Sequence, residues 1–106
     1  MFLLGQREAT IKVCPRGELD VGASRELAEQ LFTAVTAAHC RLLIVDLEGV
    51  SFLDVSAVGV LERTRQVADA VGVDFVIANP GRVARRVMEL IGALPRLTTP
   101  SFHTPN

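Results

Sequence analysis

The chain alternates between two patterns of apolar residues, one with the period of a strand and one with the period of a helix. Residues 8–14 alternate, with Ile11 and Val13 on the same side, and a two-residue period is typical of a strand with one buried face. Residues 41–47 form a continuous apolar run, which favours a central strand covered on both faces. A further strand is predicted at 73–79.

Three segments repeat their apolar residues every three or four positions, which predicts helices with one buried side. The predicted helices cover residues 23–39, residues from about 55 to 70, and residues 80–94. Ser24 is the expected N-cap of the first helix, because its hydroxyl can accept a hydrogen bond from a first-turn N–H. Gly22 is an alternative start.

Short strands, a helix end and a tail complete the predicted order of elements. Short strands are predicted at 16–19 and near 96–98, and Gly72 lies just past the second helix, where a left-handed residue commonly ends a helix. Residues 99–106 are expected to be a flexible tail. Strands that alternate with helices predict a single α/β domain over residues 1–98, with a largely parallel sheet.

Composition narrows the range of functions. The 106 residues are 49% hydrophobic and carry a formal net charge of −1, with five Phe and neither Trp nor Tyr. This balance offers no basic surface and no stacking platform for nucleic acid, and no charge that favours an anionic membrane. No apolar run reaches the roughly 18 residues of a spanning helix, so direct membrane insertion is not expected.

The cysteines and histidines do not suggest a metal site or another cofactor. Cys14 and Cys40 form no CxxC motif, and neither His39 nor His103 stands at metal-ligand spacing from them. Two unpaired thiols and the lack of a signal peptide favour a cytoplasmic protein.

The polar residues between the central strand and the second helix are the candidate functional site. Asp54 falls at or just past the end of an apolar run, and Ser56 falls in the first turn of the helix. First-turn N–H groups lack helical partners and carry the positive end of the helix dipole. A phosphoserine there would bring a charge of about −1.5 to −2, which the helix terminus tolerates and a partner can detect. Asp54 would repel the phosphate and sharpen this local change.

The same residues allow other interpretations of this segment. Asp54 could simply cap the helix, with Ser56 as an ordinary first-turn residue. Catalysis by a serine nucleophile lacks a G-x-S-x-G elbow. A receiver domain would need an acidic pair after the first strand, where the chain instead has IKVC. The chain is therefore not expected to be an enzyme.

Three blocks carry a more specific pattern: GELDVGASRELAEQL at 17–31, RLLIVDLEGVSFLDVSAVGVLERTRQ at 41–66, and GVDFVIANPGRVARRVMELIGAL at 72–94. Together they resemble the STAS family, which includes bacterial anti-sigma factor antagonists and the cytosolic domains of sulfate transporters. The resemblance covers roughly residues 8–98. It implies a small mixed, mainly parallel sheet of four to five strands, with the first strand antiparallel at one edge and about three to four flanking helices.

The resemblance also implies roles for individual residues. The family pattern D-S-S/T-G-L-G falls on DVSAVG, which assigns its Asp to Asp54 and its phosphoacceptor to Ser56. Its Leu and final Gly fall on Val58 and Gly59. The Asp of the family's GELD loop, which lies near the phosphoacceptor, falls on Asp20.

Two positions depart from the family pattern. Val55 replaces the first serine and Ala57 replaces the middle glycine. Alanine is a better helix former than glycine by about 1 kcal/mol, but its methyl group stands where a kinase would have to approach. Val55, Ala57, Val58 and Gly59 are expected to form a ridge that contacts the partner. Val58 lies between inward-facing positions, so it is either a core residue or an exposed contact.

The function that the resemblance implies is that of an anti-sigma factor antagonist, expected as a monomer or weak dimer. Its unphosphorylated form would bind a serine-kinase anti-sigma factor and release the sigma factor. Phosphorylation of Ser56 would end this binding, and a metal-dependent serine phosphatase would restore it. One alternative is a STAS-type regulatory subunit that docks on a transporter ATPase of the ABC lipid-transport type. Another is a nucleotide-responsive sensor, although the chain has no G-x-x-x-x-G-K-[ST] motif.

Overall fold

Strands and helices alternate along most of the chain. The computed structural model describes residues 2–7 and 9–98, and the side chains of residues 9–93 and 95–97. In chain order, the elements of these residues are β1 (Phe2–Arg7), β2 (Thr10–Val13), β3 (Gly17–Leu19), α1 (Val21–Val35), β4 (Leu42–Asp46), β5 (Val50–Leu53), α2 (Val55–Val71), β6 (Asp74–Ala78), α3 (Arg82–Leu90) and α4 (Leu94–Thr98).

Four strands form the main sheet, in the order β1-β2-β4-β6. β1 is antiparallel to β2 at one edge, whereas β2, β4 and β6 are parallel. The predicted α/β class and mainly parallel sheet are confirmed. The antiparallel edge strand is β1, which the hydrophobic pattern did not reveal. Its pairing with β2 contains two register shifts, and an irregular strand does not show a clean two-residue period.

The central strand β4 has one fully buried face. Leu43 and Val45 are fully buried and belong to the same core cluster as apolar residues of α1 and α2. Ile44, on the other face, is only half-buried. The prediction that both faces of residues 41–47 are covered was therefore wrong for one face, because α1 and α2 pack against the other.

The core lies between the sheet and these helices. Helical spacing places Leu27 and Leu31 of α1, and Leu61 and Ala68 of α2, on the buried sides of their helices. The largest fully buried side chains are Phe75, Leu31, Leu43, Leu47, Leu53, Leu61, Met88, Leu97, Val13, Val35, Val45 and Val58.

The helix boundaries differ from the predicted ones at the first and third helices. The third, α3, spans Arg82–Leu90 rather than residues 80–94. α1 begins at Val21 because Asp20, not Ser24, is its N-cap, and it ends at Val35 rather than near residue 39. Ser24 lies inside the helix and is buried. Gly72 ends α2 in the left-handed conformation at φ 76°, as predicted.

The short strand predicted near residues 96–98 was wrong, because this segment belongs to the helix α4. Pro95 stands in the first turn, where a helix needs no N–H donor. Leu97 is buried, and its N–H donates to the carbonyl four residues earlier at 3.0 Å. Arg96 donates through Nε to the carboxylate of Glu62 on α2 at 3.2 Å. These contacts anchor the short helix to the domain.

Two further expectations concern the ends of the chain and membranes. The tail predicted at 99–106 lies outside the described residues. Within residues 2–7 and 9–98, no helix has both the length and the apolar character required to cross a membrane.

Candidate functional site: the paired starts of α1 and α2

A short parallel pair of strands brings the starts of the two long helices together. β3 and β5 form a separate two-stranded sheet in which Leu19 is paired with Leu53. The N–H of Asp54 then donates to the carbonyl of Leu19 at 3.1 Å. The residues that follow this pair, Asp20 and Asp54, therefore leave the sheet side by side.

Each of these aspartates is the N-cap of its helix. Asp20 accepts a hydrogen bond from the N–H of Ala23 at 3.0 Å, and Asp54 accepts one from the N–H of Ala57 at 3.1 Å. Both have extended backbone conformations, as N-caps do. Each carboxylate thus accepts from a first-turn N–H group, which has no acceptor four residues earlier within its helix. The capping role considered for Asp54 is therefore present, and Asp20 has the same role at α1.

A chain of hydroxyl groups joins the two caps. The hydroxyl of Ser56 donates to Oδ1 of Asp54 at 2.5 Å. Oγ of Ser56 also lies 2.7 Å from Oγ of Ser24, which in turn donates to the carbonyl of Asp20 at 2.9 Å. Ser24 is only 8% exposed, whereas Ser56 is half-buried. The structure thus brings together Ser56, Asp54 and Asp20, and adds Ser24.

Ser24 is the residue of this site that sequence reasoning missed. Its spacing from Asp20 suggested only a helix cap, and it is separated by 32 positions from the serine that it contacts. The parallel pairing of β3 with β5 creates this contact, and a hydrophobic pattern does not specify which short strands pair.

The hydroxyl groups of Ser24 and Ser56 have fewer protons than the short oxygen–oxygen contacts they make. Ser24 and Ser56 each have one hydroxyl proton, but their oxygens make three short contacts: with the Asp20 carbonyl, with each other, and with Asp54. If Ser56 donates to Asp54, the contact between the two serines needs the proton of Ser24. The Asp20 carbonyl still accepts the N–H groups of Ala23 and Ser24, at 3.1 and 3.0 Å. The Ser24 hydroxyl can therefore turn toward Ser56 without leaving that carbonyl unpaired.

The carboxylate of Asp54 is stabilised in its charged form. The hydrogen bond from the Ser56 hydroxyl, and then the one from the Ala57 N–H, hold the pKa of Asp54 below its usual range. The N–H of Val21, at the start of the neighbouring helix, contributes in the same direction. Asp54 is thus held as an anion by N–H groups at the starts of both helices.

Only part of the predicted contact ridge is on the surface. Val55 is 61% exposed and Gly59 is partly exposed, but Ala57 and Val58 are completely buried. The helical period turns positions 57 and 58 inward together with Leu61. A ridge that uses the side chains of Ala57 and Val58 is therefore ruled out in this conformation. The Ala57 methyl group is in the core and not on the surface.

Exposed apolar residues surround the paired caps. Val21 is the first residue of α1 and is 75% exposed, and Phe52, on β5, is 41% exposed. With Val55 they place three large apolar side chains in the segments that lead into the two helices. We call Val21, Phe52 and Val55 the apolar rim.

A groove runs between α1 and α2 from this site. It has a volume of about 480 Å³. Its charged residues are Arg25 and Glu29 on α1 and Arg63 on α2. A Cβ atom added to Gly59 would lie 3.5 Å from Nη1 of Arg63, so the guanidinium group lies over this glycine. The complete lining is Ser24, Arg25, Ala28, Glu29, Phe32, Val55, Ser56, Gly59, Val60 and Arg63.

A second polar cluster, at the end of β4, is structural. Asp46 is buried and accepts hydrogen bonds from the Glu48 N–H at 2.9 Å and from the Asn79 amide at 3.2 Å. Lys12 forms an ion pair with it at 3.3 Å. Burial would raise the pKa of Asp46, but the hydrogen bonds and Lys12 together lower it. With both oxygens engaged, Asp46 is not available to a ligand.

The described residues contain no group of three or more His, Cys, Asp or Glu side chains that could hold a metal ion.

Comparison with known proteins identifies the family. The model of the STAS domain matches residues 4–104. The chain belongs to the STAS domain family. A curated relative, the anti-sigma F factor antagonist of Lysinibacillus sphaericus, is 35% identical over 80 residues, which are 74% of this chain and 68% of the relative.

Solved STAS structures have the same fold. The anti-sigma factor antagonist SpoIIAA in its unphosphorylated form matches with a TM-score of 0.76 and 26% identity, over 92% of this chain and 84% of that one. The phosphorylated form of the Bacillus cell fate determinant SpoIIAA matches with a TM-score of 0.71 and 26% identity, over 92% and 87%. A sulfate transporter family protein from Wolinella succinogenes is only 12% identical, with a TM-score of 0.70 over 84% of this chain and 71% of that one. That last likeness concerns the fold alone.

Proposed function

We propose that this STAS domain is a cytoplasmic anti-sigma factor antagonist. Its unphosphorylated form binds a serine-kinase anti-sigma factor, and the bound sigma factor is released. The observation that carries the proposal is the position of Ser56, a half-buried hydroxyl in the first turn of α2, next to the Asp54 cap and open to the α1–α2 groove. The curated relative and the SpoIIAA structures support the same function.

Ser56 is the phosphoacceptor of this proposal. The kinase transfers the γ-phosphoryl group of ATP to Oγ of Ser56, the bond to the ADP oxygen breaks, and a base of the kinase takes the hydroxyl proton. This proton is the one that Ser56 donates to Asp54. The modified residue therefore loses an attractive contact and places a dianion next to a carboxylate. A metal-dependent serine phosphatase reverses the change by transferring the phosphoryl group to water.

The apolar rim is the contact surface of the unphosphorylated form. Val21, Phe52 and Val55 are exposed, and each lies within two residues of a helix cap. Apolar or aromatic anchors dominate the energetics of many interfaces. A partner that covers this rim excludes water from the rim's centre. A phosphate there would have to be desolvated for the partner to bind, which disfavours the complex. Val55 and Gly59 are the members of the predicted ridge that can take part.

The alternative functions predicted from the sequence have weaker support. The likeness to a sulfate transporter family protein, at 12% identity, concerns the fold alone and does not bear on docking to a transporter ATPase. The relative at 35% identity is an anti-sigma factor antagonist. We retain the antagonist as the proposal, acting as a monomer or weak dimer.

Phosphoryl transfer to Ser56 can be tested directly. The protein is incubated with radiolabelled ATP and a serine-kinase anti-sigma factor that binds its unphosphorylated form. We expect one phosphate per chain in the wild type and none in Ser56→Ala. Ser51→Ala, which changes an exposed serine on β5, is the matched control and should incorporate phosphate as the wild type does. Equal labelling of Ser56→Ala and the wild type would contradict the assignment.

A further inference from the structure

We propose that the groove between α1 and α2 contains a receptor for the phosphoryl group carried by Ser56, formed by Ser24, Arg25 and Arg63. The inference rests on the proposed phosphorylation of Ser56 and deepens it. The receptor would hold the phosphate against the surface of its own domain.

The groove brings the necessary groups to one lining that also contains Ser56. Ser56 lines the groove together with Ser24 and Arg25 on one wall and Arg63 on the other. A phosphoryl group bonded to Oγ of Ser56 extends from that atom into the space that these side chains border. Both arginines belong to the two helices whose relative position the core already fixes.

Arg63 is the main cationic group of this receptor. Its Nη1 atom lies 3.5 Å from the position that a Cβ of Gly59 would occupy, and Gly59 is one helical turn beyond Ser56. The guanidinium group therefore already extends from residue 63 back toward the phosphoacceptor. The planar fork of donors on arginine matches phosphate oxygens, often with two parallel hydrogen bonds.

Neither arginine is committed elsewhere in the part of the chain whose side chains are described. Arg86 and Arg96 form ion pairs with Glu89 and Glu62, whereas the described residues provide no ion pair within 4.0 Å for Arg25 or Arg63. Binding a phosphate therefore breaks no ion pair between side chains of residues 9–93 and 95–97.

Ser24 supplies a neutral donor. Its Oγ lies 2.7 Å from Oγ of Ser56, and its alternative acceptor, the Asp20 carbonyl, already receives two backbone N–H groups. Phosphorylation removes the hydroxyl proton of Ser56, so any hydrogen bond between the two side chains must then be donated by Ser24. The phosphoryl oxygens offer this donor a stronger acceptor than a neutral hydroxyl does.

The charges around the phosphate have opposing effects. Asp54 at the cap of α2 and Glu29 on α1 repel it, while Arg25 on α1 and Arg63 on α2 attract it. The cap aspartate cannot move away without releasing the Ala57 N–H. The two arginines therefore add to the positive ends of α1 and α2 in offsetting the repulsion from Asp54 and Glu29.

The test uses protein with phosphoserine incorporated genetically at position 56, so that no kinase is needed. The second ionisation of the phosphate, ordinarily near pH 6, is followed by ³¹P NMR. We expect Arg63→Gln to raise this pKa by about 0.5 unit, as loss of a nearby positive charge disfavours the dianion. Ser24→Ala should raise it by a smaller amount.

Arg65→Gln is the matched control. It removes the same charge from the same helix, but Arg65 lines a different groove, with Glu62 and Arg96. It should leave the phosphate pKa within about 0.1 unit of the wild-type value. Equal titration of the Arg63→Gln and Arg65→Gln proteins would overturn the receptor. Both arginine positions are on the outer side of α2, so circular dichroism should confirm that both variants are folded.

The outcome is independent of whether a kinase uses Ser56. A phosphate pKa that is raised in Arg63→Gln but not in Arg65→Gln, with no enzymatic labelling of Ser56, would contradict the proposed function and support the receptor. Labelling that depends on Ser56, together with equal phosphate pKa values in the two arginine variants, would contradict only the receptor.

Discussion

Ser56 and Asp54 are linked by one hydroxyl proton, which stabilises the capping carboxylate and is also the proton that phosphorylation would replace. The Ser56 hydroxyl stabilises the Asp54 carboxylate at 2.5 Å, and that carboxylate caps α2 through the Ala57 N–H. Replacement of the proton by a phosphoryl group keeps the cap and removes the attraction. A single chemical event on a side chain can thus change the surface while the helix remains anchored.

Acid should weaken the contribution of Asp54. Because its pKa is lowered in the folded state, its contribution to stability is complete above the unfolded-state pKa of about 3.9 and is lost as pH falls through the lower folded value. Asn can still cap a helix but does not titrate. We therefore expect the stability advantage of the wild type over Asp54→Asn, measured by urea unfolding, to shrink from about pH 6 to about pH 3.

The lowered pKa of Asp46 affects both proteins equally and cancels in this comparison. A difference that stays constant over the whole pH range would show that Asp54 does not gain stability from its charged form.

Val55 should be important for partner binding and not for folding. Its side chain is 61% exposed, so Val55→Asp leaves the core unchanged. Placing a charge at the centre of an apolar contact should weaken binding to the serine-kinase anti-sigma factor at least about tenfold, as measured by calorimetry. Val71→Asp is the control, because Val71 is 54% exposed at the other end of the same helix. Equal affinities of the two variants would remove Val55 from the interface.

At the scale of elements, the small β3–β5 sheet is the device that aligns the two helices. Its parallel pairing ends at Leu19 and Leu53, so the next residue of each strand becomes the N-cap of a helix. The two positive helix ends therefore lie together, and each contributes a serine to the contact between Ser24 and Ser56.

The cap of α1 can be tested separately from the phosphorylation site. Asp20→Ala removes the side-chain acceptor of the Ala23 N–H, which keeps its 3.1 Å contact with the backbone carbonyl of residue 20. The substitution should lower the free energy of unfolding by about 1 kcal/mol. Asp20→Asn keeps a capping oxygen and should cost only a few tenths of that amount. Urea unfolding at neutral pH measures both. If the two variants are equally stable, the Asp20 side chain is not acting as a cap.

At the scale of the whole molecule, the proposed switch is separate from the core. The fully buried residues of β4 and β6, such as Val45 and Phe75, lie in the sheet, whereas Ser56 lies at the helix starts. Both the unphosphorylated and the phosphorylated SpoIIAA structures match this fold over 92% of the chain. A charge added at the site should therefore change recognition and leave the architecture in place.

This separation predicts a restricted pattern of NMR changes. Comparison of backbone amide spectra with serine and with phosphoserine at position 56 should show large shifts only near the two helix starts and along the α1–α2 groove. Amides of buried sheet residues such as Val45 should move little. Widespread shifts across β4 and β6 would mean that phosphorylation acts through a change in the fold.

Much of this architecture was predictable because hydrophobic periodicity is a local property. The helical repeat of α2 and the apolar run of β4 indicated an α/β fold and placed Ser56 in the first turn of a helix. The strand that leads into Asp54 is β5, which the pattern did not predict as a separate strand. The three sequence blocks also pointed to the STAS family, which the family match confirms. Segments with a clear hydrophobic period indicate their secondary structure by themselves, because the apolar side chains that set the period are the ones that form the core.

Tertiary structure decided what depends on neighbours distant in sequence. Pairing between β3 and β5 made Asp20 a cap in place of Ser24 and brought Ser24 to Ser56. Packing against the core placed Ala57 and Val58 inside and left Val55 exposed. A short segment with Pro95 became a helix because Leu97 could be buried there. The sequence by itself determined the three longer helices, the parallel strands of the main sheet and the family. Contacts between elements determined which side chains meet at the site, because burial and hydrogen bonding across the fold outweigh local preference.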